Sequence, residues 1–438
     1  MVIRLALAFI MLSMSAVWAN DWPQWRGPDR SGVSKETGLL KAWPKDGPKL
    51  LWTFKNAGEA FSSLAVVGDT VYTLGTRGPD EIVLALDVRD GTEVWSATIG
   101  TIFKAGGVGG DWGHGPRCTP TIDGNHLYAL GSQGDLICLD IPSKGKKEVW
   151  RKNFQKDFGG EMMTEWGFSE SPLVDGPHLL CTPGGDNGTM IALDKNDGRL
   201  VWQSKEIKNK APYSSIMPAQ INGVRQYIQN SFVDEPAGGV ISSFSAKDGK
   251  VLWSMPIFKG DSYDIGPTPV VRDNLVYMTT YNTVSGCHCF EIDKASKATD
   301  LYSKKNQKVM KNNHGGVVLI GDHVYGYSDN LGWICQQFKS GDLVWNEKDK
   351  IICSYTGALV AAEGLLYLLT DEGEVGLVAA DPKEFHELGS FNLPEKSTIP
   401  NTLVTSKKSK IWAHPVVANG RLYVRAHDLV FCYDIRAK

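Results

Sequence analysis

One unit, an aspartate and a glycine four residues apart followed by a tryptophan four residues on, recurs along this chain of 438 residues. No other feature restricts the fold as much. Asp87, Gly91 and Trp95 form one copy; Asp194, Gly198 and Trp202 form another. Gly249 with Trp253 and Gly341 with Trp345 keep the second half of it, and Asp140 reaches Trp150 through a longer, lysine-rich turn. Degenerate copies end at Tyr302 and near Leu388. From Trp95 onward the spacings are 55, 52, 51, 49, 43 and 43 residues, the size of a four-stranded unit.

The local chemistry explains the unit. Asp-Gly supplies the positive φ of a tight hairpin, and the strand after it alternates, as at Val251, Trp253, Met255 and Ile257. Asp87, Asp140, Asp194, Asp293, Asp381 and Asp434 share one position before the turn, where a carboxylate accepts backbone N–H bonds. These six aspartates are read as structural. Pro120, Pro172, Pro218, Pro269 and Pro415 each precede a second turn, which suits the unpaired edge of an innermost strand. The C-terminal copy ends at Asp434 without a fourth strand, and Lys49–Phe54 looks like an orphan fourth strand. Joining them gives an all-β, eight-bladed β-propeller closed by an N-terminal strand that completes the last blade.

Before the ring, residues 1–19 read as a cleavable signal peptide: Arg4, an apolar run from Leu5 to Leu12, then Val17 and Ala19 at the −3 and −1 positions. Residues 20–46 form an N-terminal arm and 47–438 the propeller. The apolar run is shorter than the roughly 20 residues that span a bilayer, and no cysteine near the cleavage site marks a lipid anchor. A periplasmic or secreted monomer is expected. A net charge of −3 gives no electrostatic footprint for nucleic acid.

The repeat units resemble those of the pyrroloquinoline-quinone (PQQ) repeat family, found in quinoprotein dehydrogenases and in the outer-membrane assembly lipoprotein BamB. The arm from Asp21 to Val33, together with Trp112–Arg117, Trp166–Pro172 and Asn313–Gly316, is similar to a bacterial set of secreted proteins named for this repeat. The dehydrogenase resemblance implies PQQ held against two adjacent cysteines, with calcium in a Glu/Asn/Asp set. No Cys-Cys pair occurs here, the nearest being Cys287-His288-Cys289, and no Cys-x-x-Cys-His binds haem. The BamB resemblance lacks its lipid-bearing cysteine. Repeats of this kind specify fold rather than activity.

Of the eight cysteines, Cys138, Cys335 and Cys432 fall in the slot held elsewhere by Ala85, Ala192, Ser243 and Ala379, so they are read as small apolar groups. Cys287 and Cys289 share a strand face opposite His288, so no metal site is expected there. The residues that break the repeat gather in the loops leading into the innermost strands. Trp112, His114, Arg117, Glu165, Trp166, Glu170, Asp264, Asn313, His314 and His414 are therefore the candidate ligand-binding set, a polar site at the channel mouth. Its catalytic residues are unassigned. The expected function is non-catalytic binding or scaffolding, with a protein or a small molecule as partner. The alternative is a PQQ- and calcium-dependent dehydrogenase of alcohols or sugars with an atypical site.

Overall fold

A computed structural model describes residues 21–103, 114–260, 265–281, 286–399 and 411–437. The signal-peptide reading and the candidates Trp112 and Asp264 lie outside them. Eight sheets form the ring, and in seven of them the strands follow chain order outward from the innermost. Blade one runs through Ala65–Val67, Thr70–Arg77, Asp80–Asp87 and Glu93–Thr101. Blades two to seven begin at Thr121, Leu173, Met217, Val270, Val317 and Gly357. Blade eight combines Val416–Ala418, Arg421–Ala426 and Leu429–Asp434 with Lys49–Phe54, which pairs antiparallel to the last of these, Trp52 opposite Cys432. The N-terminal strand closes the ring as the repeat count requires.

The aspartates do what their position implies. The backbone N–H of Arg89 donates to Asp87 at 2.8 Å, Asn196 to Asp194 at 2.9 Å, Ala295 to Asp293 and Lys383 to Asp381 at 2.8 Å. Ser143 donates likewise to Asp140 and Arg436 to Asp434. The glycine of each turn has two reasons to be glycine. Gly91, Gly198 and Gly249 hold φ of +74°, +71° and +72°, and a Cβ there would sit 2.5, 2.8 and 2.4 Å from Trp52, Trp150 and Trp202 of the preceding blade. Each tryptophan thus docks on the next blade's turn. Trp52 Nε1–H donates to Val88 O and Trp150 Nε1–H to Lys195 O, at 2.9 and 3.0 Å. The blade-five turn, Asp293 to Lys297, has no glycine, and Trp253 donates instead to Gln226 of its own blade.

A bulge repeats beside these tryptophans, skipping Val94, Val201 and Val344 in the pairing register. It leaves the valines exposed while the indoles turn in. The slot of small residues is explained by its row. Cys138 lies between Tyr128 and Trp150, Cys335 between Tyr325 and Trp345, Cys432 between Tyr423 and Trp52. In each row the two aromatic rings close to about 6 Å over the small residue. All eight cysteines are free and buried. Cys287 and Cys289 pack towards blade six, while His288 bonds Asp300 and the Ile257 carbonyl on the other side.

The double constraint on glycine is testable. Gly249→Ala is expected to cost about 3 kcal/mol, combining left-handed backbone strain with a ring clash. Gly124→Ala has φ +56° but open space around its Cβ, and should cost about 1 kcal/mol. Equal losses in urea unfolding would remove the docking argument.

Candidate functional site

The arm runs through the ring and bonds to its inner walls. Trp22 exchanges backbone hydrogen bonds with Val66 of blade one, and the Ile122 N–H of blade two donates to Pro23 O. Trp25 Nε1–H reaches Thr268 before blade five, and Arg26 the Val317 carbonyl of blade six. Arg30 donates to the carbonyls of Ser171 and Pro172 beside blade three and Ile216 beside blade four. Val33 and Ser34 pair in parallel with blade seven. Glu36 accepts from Asn419 and Gly420 in blade eight. Eight blades are thus tied to one short segment. Arg30 is only 1% exposed and Arg26 4%. Burial lowers both guanidinium pKa values to about 10, still far above neutral pH, so two charges are solvated by carbonyls in place of water.

Beside the arm lies a cavity of about 240 Å³. Seven aromatic side chains line it: Trp25, Phe61, Trp166, Tyr213, Tyr281, Tyr355 and Trp412. Arg117, Asn313, His314, His414, Ser169, Ser171, Ser215 and Thr268 supply its polar atoms. Of the sequence candidates, Arg117, Trp166, Asn313, His314 and His414 meet here. Glu165 is exposed and does not line the cavity; nor does His114, whose backbone N–H donates to Glu59. Glu170 is buried in the wall. The expected polar site is therefore mainly an aromatic one.

Alternation of extended backbone decides who faces in. Ser169 and Ser171, Tyr213 and Ser215, Gly266 and Thr268, and Trp412 and His414 line the cavity in pairs two apart. The residues between them, Glu170, Ser214, Pro267 and Ala413, are turned into the wall. A hydroxyl belt comes from the same register. The N–H of Thr119 donates to Ser171 Oγ, that of Ser171 to Ser215 Oγ, and that of Ser215 to Thr268 Oγ1. Each bond joins one blade to the next. Trp25 and Phe61 escape a search of the repeat-breaking loops, since one lies in the arm and the other precedes a blade without the proline mark. The signal that finds Phe61 is its place two residues before a hydroxyl, Ser63, as Arg117 stands before Thr119.

Burial governs the electrostatics of the cavity. Arg117 lies over the Phe61 ring at 5.5 Å, Phe61 stacks on Trp412 at 4.9 Å, and Trp412 on His314 at 4.4 Å. Burial, and then the charge of Arg117, lowers the His314 pKa to about 4; burial and Arg26 lower His414 to about 3. Both imidazoles are neutral at pH 7, and His414 Nε2 is 2.9 Å from His314 O, so it donates. The Arg117 pKa is itself lowered by burial, with Tyr213, Glu81 and Glu59 acting against that. Asn313 Nδ2 and His314 Nδ1 are buried without a hydrogen-bond partner. Gly315 lets blade six approach blade seven: a Cβ there would lie 1.6 Å from the Gly357 carbonyl oxygen.

Glu170 accepts from the Thr182 N–H through one carboxyl oxygen, and the other, Oε2, is buried without a partner. Burial raises its pKa to about 7 against the pull of that bond and of Arg30. A carboxyl whose folded pKa exceeds its unfolded one stabilises most below the unfolded value and loses that advantage as pH rises to the folded value. Stability should therefore decline between about pH 4.5 and 7, by at most roughly 3 kcal/mol. Glu170→Gln is expected to flatten this decline and to be the more stable protein at pH 8. An unchanged pH profile would show that Glu170 ionises normally.

Among the described residues no group of three or more His, Cys, Asp or Glu could hold a metal ion. With no adjacent cysteines in the sequence either, the described residues do not fit a quinone–calcium centre. No helix of the described residues is long and apolar enough to cross a membrane.

A closed ring of eight repeat-built blades defines the class: a PQQ-like repeat β-propeller. The family model described as outer membrane protein assembly factor BamB matches residues 25–101 and 79–347, and the chain belongs to that family. It is 23% identical to the BamB of Yersinia pestis over 77% of this chain and 87% of that one. The BamB of Salmonella typhimurium is also 23% identical, over 87% of each chain. Among solved structures it resembles BamB from Moraxella catarrhalis, with TM-score 0.59, 16% identity, and coverage of 88% of this chain and 99% of that. A quinohemoprotein alcohol dehydrogenase from Comamonas testosteroni gives TM-score 0.63 at 13% identity, covering 96% and 81%. These structural likenesses concern the fold.

Proposed function

We propose that this chain is an exported, non-catalytic binding propeller whose working site is the aromatic cavity beside the arm. The observation that carries this is the make-up of that cavity: seven aromatic rings, two neutral histidines, and no lining carboxylate or cysteine among the described residues. Such a lining holds a ligand by shape and hydrogen bonds but offers no activated nucleophile and no general base near neutral pH. Arg117, Trp166, Asn313, His314 and His414 are the binding residues in this reading.

The mature protein, given PQQ, calcium, alcohols, sugars and a dye acceptor, should show no turnover and no change in quinone absorbance. In a thermal-shift screen of small metabolites, at least one compound should raise the melting temperature. Quinone-dependent dye reduction would sink the reading in favour of a dehydrogenase. A protein partner is the second reading, favoured by membership of a family described as an assembly factor. It predicts a co-purifying protein whose retention does not depend on Arg117.

A further inference from the structure

The seam between blades four and five lacks the bond from an outer-strand indole to the next blade's turn that Trp52 and Trp150 make; Trp253 donates within its own blade. Two other side chains cross this seam. Asn222 Nδ2 donates to the carbonyls of Ile292 and Asp293 near the turn, and His288 of blade five reaches the Ile257 carbonyl on the outer strand of blade four. We propose that the second crossing is a proton-operated latch: His288 and Asp300 share a proton that keeps the outer strand of blade four seated on blade five, and losing it loosens that strand.

Counting protons carries the argument. His288 is 2% exposed, and both of its ring nitrogens face acceptors. Nδ1 lies 2.7 Å from Asp300 Oδ2, and Nε2 lies 3.1 Å from Ile257 O. A carbonyl oxygen only accepts, so Nε2 carries a proton. A second proton lies between Nδ1 and Oδ2, on one atom or the other, because two bare lone pairs do not sit that close. The pair therefore holds one proton more than a neutral imidazole beside a carboxylate. The ring is fixed in place, stacked on Phe290 at 5.4 Å with the planes 7° apart. Asp300 is fixed too: the Tyr302 N–H donates to Oδ1 at 3.0 Å. Gln307 Nε2 is 2.7 Å from Oδ2 and 3.3 Å from Nδ1, so its shorter contact is to the carboxylate. The charged groups around the pair among the described residues are Lys304, whose Nζ reaches Gln307 Oε1, and the exposed Lys259 beyond Ile257. Cys287, Cys289 and Glu291, the last paired with Lys339, lie on the other face of the strand. Once the shared proton leaves, one contact fails. A proton kept on Nδ1 sets the Nε2 lone pair against the Ile257 carbonyl; a proton kept on Nε2 sets the Nδ1 lone pair against the carboxylate. The latch is thus closed at lower pH and loosens as pH rises.

Amide exchange on the full chain at pH 6 and pH 9, corrected for the intrinsic pH dependence of exchange, tests the latch. Protection across Val251–Lys259 should fall at least about tenfold more than across Glu93–Thr101, the outer strand of blade one and of equal length. Asp300→Asn separates a latch from a simple brace. An asparagine amide there donates to Nδ1, neutral His288 keeps its other proton for Ile257, and at pH 9 the strand should be better protected than in the wild type. Removal of a brace would leave it less protected. His288→Gln, whose amide donates without titrating, should respond to pH no more than blade one does. The proposal is overturned if the two wild-type strands respond equally to pH, if Asp300→Asn is no better protected than the wild type at pH 9, or if His288→Gln keeps the wild-type response. Where a variant fails to fold, the wild-type comparison of the two strands decides.

Discussion

Arg30→Met is expected to lower the melting temperature by about 5 °C. The loss comes from three carbonyls, those of Ser171, Pro172 and Ile216, that the guanidinium satisfies inside the channel. Each buried acceptor left alone costs about 1–3 kcal/mol. Relief from burying a charge offsets part of this, leaving a net loss of about 3–5 kcal/mol. The melting entropy of a domain this large is near 2 cal/mol/K per residue, so each kcal/mol moves the midpoint by only about 1 °C. Lys35→Ala is the control: its ion pair with Asp29 has both side chains more than 60% exposed, and such pairs contribute little. Calorimetry showing equal midpoints for the two variants would mean that the arm does not seat in the channel.

The second large effect concerns closure. Trp52 and Trp150 are equivalent in packing: both are buried, both dock on a glycine turn, and both donate to a carbonyl of the next blade. Truncating either to alanine should cost about 3–5 kcal/mol. They differ in what holds their strand. Trp150 belongs to a blade made of continuous chain; Trp52 belongs to a strand that joins blade eight from the far end of the sequence. In Trp52→Ala, amide exchange should therefore accelerate by at least about tenfold across both Lys49–Phe54 and Leu429–Asp434. In Trp150→Ala the effect should stay within blades two and three. Matching exchange patterns would show that the closing strand is no weaker than a hairpin.

The ring was legible because its determinants are local and repeated. Asp194 needs only its own turn, and Gly198 only that turn and the tryptophan at Trp150. Counting these units also exposed the missing fourth strand at the C-terminus. The channel plug was not legible, because Trp22, Arg26 and Arg30 occur once each and their partners are backbone carbonyls, which leave no trace in side-chain pattern. The site was half legible. Arg117, Asn313, His314 and His414 stood out as polar breaks in the repeat, yet Phe61 and Trp25 look like ordinary apolar residues until the ring brings them together. Glu170 misled for a simpler reason: one step along an extended strand reverses the face, and its neighbours Ser169 and Ser171 took the cavity.

The plug has a consequence for the order of assembly. The arm is made before every blade, yet its contacts reach Thr268, Val317, Ala361 and, last, Asn419 and Gly420. Blades two to six can each zip up from neighbouring residues while synthesis proceeds, but the axle waits for almost the whole wheel. Contacts so distant in sequence slow the final step and leave a near-complete ring with an open hub as the last intermediate. Arg30 has its last carbonyl partner once Ile216 is made and Arg26 once Val317 is, but Glu36 waits for Asn419 and Gly420, and the cavity that borrows Trp25 from the arm is incomplete until Trp412 and His414 follow. Ligand binding therefore reports on a finished molecule, and an unfinished one is distinguishable by an arm still open to proteases.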